Sequence, residues 1–301
     1  MANIRGLILI AGSCLVLMNA CSPGNTHQEK LQTFSSENDF RYDFAQSKIV
    51  NGEPVAEEDS VAKSTVALYL ADKEQSGAIR NICTGTLISK NIVISAAHCF
   101  KDVAEIFLKI PLDELVQRIR IGFGTQIVKN ESDTRVTFIK IKKVIIHPDY
   151  VSNMVKHAKR IPMPDLSLIQ LETDAPETAV PTLLGLDLGN LIQKGTPLIL
   201  AGYGLTSGSE QTQAKQLMKV DVNISNPKLT TAQFTYDVVN RKSACMGDSG
   251  GPAYVEIEKG RLAVIGVTSW GDNTCSSIGV YTSIPAFTDF ITTSIAKFNQ
   301  P

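Results

Sequence analysis

SACMGDSGGP, residues Ser243–Pro252, sets three glycines, a proline, an aspartate and two serines around one cysteine. Glycine and proline weaken both helix interiors and central strands, so this stretch is neither. Its glycines let the backbone enter conformations closed to other residues, so that successive N–H groups can point into one hollow instead of joining a sheet. Such a hollow binds an oxyanion. If Oγ of Ser249 attacks a carbonyl, the N–H groups of Gly247 and Ser249 are placed to stabilise the developing charge, and a donor of this kind is worth roughly 10²–10³ in rate. A serine between glycines also suggests the nucleophile elbow of an α/β-hydrolase, which requires strands and helices in alternation.

The surrounding chain does not alternate in that way. From Ile49 onward it is written in short β-type runs separated by Gly, Pro, Asn and Asp: STVALYL, GTLISKNIVISA, RIRIGFG, RVTFIKIKKVII, LSLIQL, PLILAGYG, KVDVNIS, AQFTY, GPAYVEI, LAVIGVTSW and GVYTSI. Many short strands at this spacing predict an all-β barrel or sandwich. Two stretches read as helical. One is PLDELVQRI, and the other is the tail from Pro285 to Phe298, which sets Phe287, Phe290, Ile291, Ile295 and Phe298 on one face. No internal repeat is visible.

A serine hydroxyl needs a base to take its proton. Of the four histidines, His27 lies in a polar head segment, His147 precedes Pro148 at a strand end, and His157 sits in the cationic stretch KHAKR. His98 remains, in ISAAHC, where two alanines allow close packing; a lone histidine is as readily a structural residue. In chain order, IVNG (49–52), ISAAHC, HPDY, DLSLIQL, AGYG, GDSGGP, SWG and GVYT resemble the chymotrypsin/trypsin family of serine endopeptidases over essentially all of residues 49–298. The resemblance implies that His98 is the general base, Asp165 the buried acid that orients it and Ser249 the nucleophile. Asp165 is carried by the resemblance alone, since one aspartate among 30 acids has no distinguishing local signal.

The same resemblance implies two six-stranded antiparallel β-barrels set perpendicular, one over about 49–180 and the other over about 181–301, with the triad between them and a C-terminal helix outside. It implies the disulfides Cys83–Cys99, which would hold the His98 loop, and Cys245–Cys275, which would hold the walls of the specificity pocket. That pocket is assigned to Ser243 at its floor, Met246 at its rim, and Ser269, Trp270, Gly271 and Gly279 along its walls. Serine where trypsin-like members carry aspartate, and glycine at both wall positions, imply a large apolar or aromatic residue at P1, the substrate position before the scissile bond. The alternative is Arg or Lys, drawn by an acid such as Asp272. The family's activation mechanism implies cleavage after Lys48, so that the new ammonium of Ile49 pairs with Asp248 and shapes the oxyanion hollow. The uncut chain is then a zymogen, because a buried carboxylate without its partner costs several kcal/mol. Calcium-binding members carry a glutamate soon after the glycine matching Gly122; Phe123 stands there, so no metal and no cofactor is expected.

The head of the chain is of another kind. One positive charge in MANIR precedes the apolar run GLILIAGSCLVLM, which is too short to span a bilayer at ~20 residues and has signal-peptide form. It ends at MNACS, where Ala20 before Cys21 resembles the lipobox of bacterial lipoproteins. Residues 1–20 are therefore expected to be a signal and Cys21 a lipid site, the alternative being a plain secretory signal without the lipid. Residues 21–48 form a polar pro-segment or tether, and 49–301 the protease domain. Cys14 lies in the signal, which leaves Cys83, Cys99, Cys245 and Cys275 for two disulfides in an exported chain. No C-x-x-C pair or histidine cluster favours zinc. A lipid on Cys21 with cleavage after Lys48 implies a precursor tethered in the outer membrane or periplasm of a bacterial cell, released as it is activated.

The full chain has 301 residues, 43% of them hydrophobic and 20% charged, with a formal net charge of −1. No global basic field exists to hold nucleic acid or an anionic membrane surface. Expected partners are protein or peptide substrates, a separate trypsin-like activator and protein inhibitors, with membrane contact only through the lipid. The rival reading from another class is a non-catalytic binding protein on a protease scaffold, and such proteins typically lose a member of the triad. An ester or lipid hydrolase conflicts with the strand-rich pattern, and a chaperone-type protease would lack IVNG.

Overall fold

The computed structural model describes residues 52–152, 164–205, 214–238, 242–272 and 274–300. Strands β1 (Thr65–Ala71), β2 (Ile79–Ser89), β3 (Ile92–Ser95), β4 (Ile119–Phe123), β5 (Thr137–Ile146) and β6 (Ser167–Leu171) close a barrel in the order β1-β2-β3-β6-β5-β4. Strands β7 (Pro197–Gly202), β8 (Met218–Thr230), β9 (Gln233–Tyr236), β10 (Pro252–Glu258), β11 (Arg261–Gly271) and β12 (Gly279–Ser283) close a second, in the order β7-β8-β9-β12-β11-β10. All twelve pairings are antiparallel. The fold is thus the expected pair of six-stranded barrels, of chymotrypsin-like type. Each barrel repeats one connection order, although no repeat is visible in the sequence. Closure fixes the alternation of inward and outward residues but not their identities, so two barrels can share a plan without sharing letters.

Strand β8 shows that alternation: Met218, Val220, Val222 and Ile224 are buried, while Asp221 and Asn223 face out. Strand β1, by contrast, is buried on both sides over Thr65–Leu70, because its outer face meets other protein. Two fully buried tyrosines tie the barrels together. Tyr254 Oη lies 2.8 Å from Ser64 Oγ and 3.0 Å from Thr65 Oγ1, and Tyr203 Oη donates to the Gly124 carbonyl at 2.8 Å. A buried hydroxyl without a partner would cost about 1–3 kcal/mol, so these bonds fix how the barrels meet.

Both expected helices form, as Leu112–Arg118 and as Thr288–Phe298 preceded by a 3₁₀ turn at Pro285–Phe287. The tail helix buries Ile291 and Phe298 on the first barrel, where Gln170 Nε2 donates to the otherwise orphaned Phe298 carbonyl at 3.1 Å. His147 packs against Phe287 and Phe290, with ring centroids 5.2 and 4.5 Å away, a structural role. Two short helices were not anticipated: Ser60–Ser64, capped by the Asp59 carboxylate, and a wide-turned π segment at Val103–Leu108. Each is about one turn or two long, below the length at which helical periodicity stands out.

Candidate active site

His98 follows β3 in a turn whose preceding Ala96 and Ala97 are fully buried, so the chain can pass close to the second barrel. Asp165, 2% exposed, begins the segment that becomes β6, the strand paired with β3. This pairing brings the two residues together. Asp165 Oδ1 accepts from the His98 backbone N–H at 2.9 Å, and Oδ2 lies 2.7 Å from His98 Nδ1. Ser269 Oγ, from β11, donates to the same Oδ2 at 2.6 Å. An ionised carboxylate only accepts, so it fixes the imidazole proton on Nδ1 and leaves a lone pair on Nε2. Burial disfavours the imidazolium, but the carboxylates of Asp165 and, less strongly, Asp102 outweigh it and hold the His98 pKa above its ordinary 6.5.

The loop that carries Ser249 is clamped by Thr84 of β2. Its backbone N–H donates to the Ser249 carbonyl at 2.8 Å and its Oγ1 to the Gly247 carbonyl at 2.8 Å. Gly250 has a φ of 79°, and a Cβ there would come 2.1 Å from Ser95 Oγ, so only glycine allows the loop to lie against the end of β3 beside His98. The loop's N–H groups divide into two sets. Those of Asp248, Gly250 and Gly251 donate to Cys245, Thr268 and Asp248 carbonyls. Those of Gly247 and Ser249 donate to no acceptor among the described residues. Leu205 N–H bonds the Met246 carbonyl at 3.2 Å, and in a trans peptide this turns the Gly247 N–H to the opposite side. Two free donors one residue apart suit an anionic oxygen.

Beside Ser249 opens a cleft of about 230 Å³, lined among others by Ala244, Met246, Thr268, Gly271 and Gly279. Met246 and Trp270 stand at it 46% and 37% exposed, unusual for large apolar side chains and available to a ligand. Ser243 is fully buried and is not part of the lining; its hydroxyl is taken up by Tyr236 and the Ala244 carbonyl. Asp272 does line the cleft, yet its carboxylate accepts from the backbone N–H groups of Ser276, Ser277 and Ile278 and from the Thr274 hydroxyl. Burial opposes ionisation there, but these donors hold the acid well below the usual carboxylate range. Its oxygens are spent on shaping the loop that ends at Gly279.

Both disulfides are present, Cys83–Cys99 with Cα atoms 6.3 Å apart and Cys245–Cys275 with Cα atoms 5.3 Å apart. They close loops of 16 and 30 residues, each worth about 3–4 kcal/mol by loop entropy. Cys83, His98 and Cys99 also lie close enough together to suggest a metal group, but sulfurs already joined to each other offer no thiolate. Asp248 is 1% exposed and accepts from Cys245 N–H at 2.8 Å and from Gly204 N–H at 2.7 Å. With neutral donors only, burial pushes its pKa up to about 8. Lys48, Ile49 and Cys21 lie outside the described residues, as do His27 and His157.

Two residues of this site escaped the sequence. Thr84 bonds a residue 163 positions away and Tyr236 enters the pocket region from β9. Neither lies in a motif, so no local signal marks them.

A family model described as Trypsin matches residues 49–291. The chain is similar to the CLIP domain-containing serine protease B4 of Anopheles gambiae, with 27% identity over 237 residues that cover 71% of this chain and 62% of that protein. It is similar to the venom serine protease Bi-VSP of Bombus ignitus, with 29% identity over 228 residues, 69% of this chain and 57% of that one. With Trypsin-3 of Salmo salar it shares 28% identity over 230 residues, 72% of this chain and 84% of that one. The chain therefore spans less than two thirds of the first two relatives. All three come from animals.

Proposed function

Because this chain belongs to the trypsin family of serine proteases, we propose that it is a serine endopeptidase using His98, Asp165 and Ser249. The carrying observation is the Asp165 carboxylate, buried and bonded at once to His98 Nδ1, His98 N–H and Ser269 Oγ. An acid so placed supports a base whose free Nε2 takes the Ser249 proton as Oγ attacks the peptide carbonyl. The new C–O bond pushes the carbonyl π electrons onto oxygen, and the Gly247 and Ser249 N–H groups donate hydrogen bonds to the resulting oxyanion. As the carbonyl re-forms and the C–N bond breaks, His98 gives that proton to the leaving amine, and water then repeats the sequence on the acyl-enzyme, breaking the ester bond and restoring Ser249. The hydrogen bonds among described residues include none between Ser249 Oγ and His98, a contact that commonly tightens only when substrate is bound.

The base is the proton-free imidazole, so kcat/KM should fall as pH drops through the His98 pKa. Since that pKa is raised, the half-maximal point is expected above pH 6.5. A pH–rate profile on an uncharged peptide substrate measures it, and a midpoint at or below 6.5 contradicts the electrostatic reading.

The precursor is proposed to be a zymogen cut after Lys48. Support comes from Asp248, a buried acid that an arriving Ile49 ammonium would neutralise. An uncharged P1 side chain is proposed, because no acid with free oxygens faces the cleft among the described residues. An enzyme of that preference does not readily cut after its own Lys48, which implies a separate activator. Protein inhibitors of the family's usual kind remain expected partners. The head segment supports export, but the relatives are animal proteins and lend nothing to a bacterial lipoprotein with a lipidated Cys21.

Diisopropyl fluorophosphate labelling tests the whole reading. Protein processed to begin at Ile49 should be labelled on Ser249 far faster than the uncut chain. Equal labelling of both removes the zymogen, and labelling of neither removes the enzyme in favour of a binding protein.

A further inference from the structure

Tyr236 ends β9 and is 2% exposed, yet its hydroxyl lies where the wall glycines of the cleft were expected to leave space. Its Oη is 2.7 Å from Ser243 Oγ and accepts the Ala244 N–H at 2.8 Å. Ser243 Oγ in turn donates to the Ala244 carbonyl at 2.8 Å. That bond uses the only serine proton, so the shared bond between the hydroxyls is made by the Tyr236 proton. The result is a closed ring: Tyr236 O–H to Ser243, Ser243 O–H to Ala244 C=O, and Ala244 N–H back to Tyr236. Every donor is satisfied, so the phenol is held in place with no polar group reaching for a ligand.

The phenol fills a specific space. A Cβ built on Gly279 would come 2.2 Å from Tyr236 Oη and 2.4 Å from Cζ. The room in front of Gly279 that its missing side chain would leave is therefore occupied by the end of Tyr236, reaching in from another strand. Ser243, the expected floor, is buried together with Tyr236, and neither is among the residues that line the cleft.

On the endopeptidase reading, we propose that Tyr236 is a specificity-determining residue that shortens the P1 pocket, so that the enzyme takes aliphatic side chains up to the size of leucine and disfavours phenylalanine and tyrosine. A pocket that lacks the depth for a ring rejects it by overlap, a steric effect of the same kind as the 10–200-fold discriminations made between side chains one methylene apart. The large apolar or aromatic P1 implied by Ser243 and by glycine at both wall positions is thereby narrowed.

The test uses processed full-length enzyme, with active sites counted by diisopropyl fluorophosphate and kcat/KM measured on peptide p-nitroanilides carrying Ala, Val, Leu, Phe or Arg at P1. Wild type is expected to cleave after Leu or Val at least about 10-fold better than after Phe. Tyr236→Ala should raise the Phe-to-Leu ratio by roughly 10–100-fold, and Tyr236→Phe, which removes only the oxygen nearest Gly279, by a few-fold. Wild type that cleaves after Phe as well as after Leu overturns the proposal, whether or not Tyr236→Ala folds. So do titrated variants whose ratio is unchanged. Processed wild type without a titratable serine removes the endopeptidase reading, and this inference with it. Titratable enzyme with the wrong ratio removes only the role of Tyr236.

Discussion

Ser249→Ala is expected to lower kcat by a factor on the order of 10⁶ while leaving folding intact. The serine's structural contacts are made by its backbone, the carbonyl that Thr84 N–H holds at 2.8 Å, and alanine keeps them. The disulfide Cys245–Cys275 and the ring of bonds through Asp248 do not involve the side chain. Lost instead is the atom that forms the covalent intermediate, and no neighbouring hydroxyl replaces it, since Ser269 is already committed to Asp165. Residual activity would come from the free N–H pair and substrate positioning alone, about 10³–10⁴ over water. Thermal unfolding within a degree or two of wild type, abolished phosphonylation and turnover near background are the expected results. A variant retaining a hundredth of wild-type kcat shows that another group is the nucleophile.

Asp165→Asn is expected to cost about 10⁴ in kcat, through a tautomer rather than through lost packing. Asn is the same size, and its carbonyl oxygen can still accept the His98 backbone N–H now bonded at 2.9 Å. Its amide NH₂ then faces His98 Nδ1, which must become an acceptor. The imidazole proton moves to Nε2, the nitrogen that has to receive the serine proton, and the base is blocked. Ser269 Oγ, at present a donor at 2.6 Å, has to reverse as well. Proton NMR should show loss of the downfield Nδ1–H signal with the fold unchanged. Activity within 10-fold of wild type excludes Asp165 as the residue that orients the base.

Much of the strand content was legible because a strand facing a core on one side and solvent on the other must alternate, as β8 does. The nucleophile loop was legible for a comparable reason: Gly250 sits at a φ of 79° against a neighbouring strand, and the need for glycine is written at that position. The helices Ser60–Ser64 and Val103–Leu108 were missed because so few residues carry no resolvable period. The sequence offers Asp272 as an acid for a cationic P1, but Thr274, Ser276, Ser277 and Ile278 of the following loop fold back onto it and occupy its oxygens.

The amino-acid order alone determined the β character of the chain, the hollow at GDSGG and the four cysteines left for pairing, since each rests on local backbone freedom, side-chain period or count. Tertiary structure decided which acid reaches His98. Asp102, Asp165 and Asp248 are all buried, yet only Asp165 leads directly into the strand that pairs with β3 and so bonds His98 Nδ1. It also decided that Tyr236 meets Gly279, 43 residues further along the chain, because β9 pairs with β12. Contacts of that kind depend on strand order and register, which no local pattern encodes.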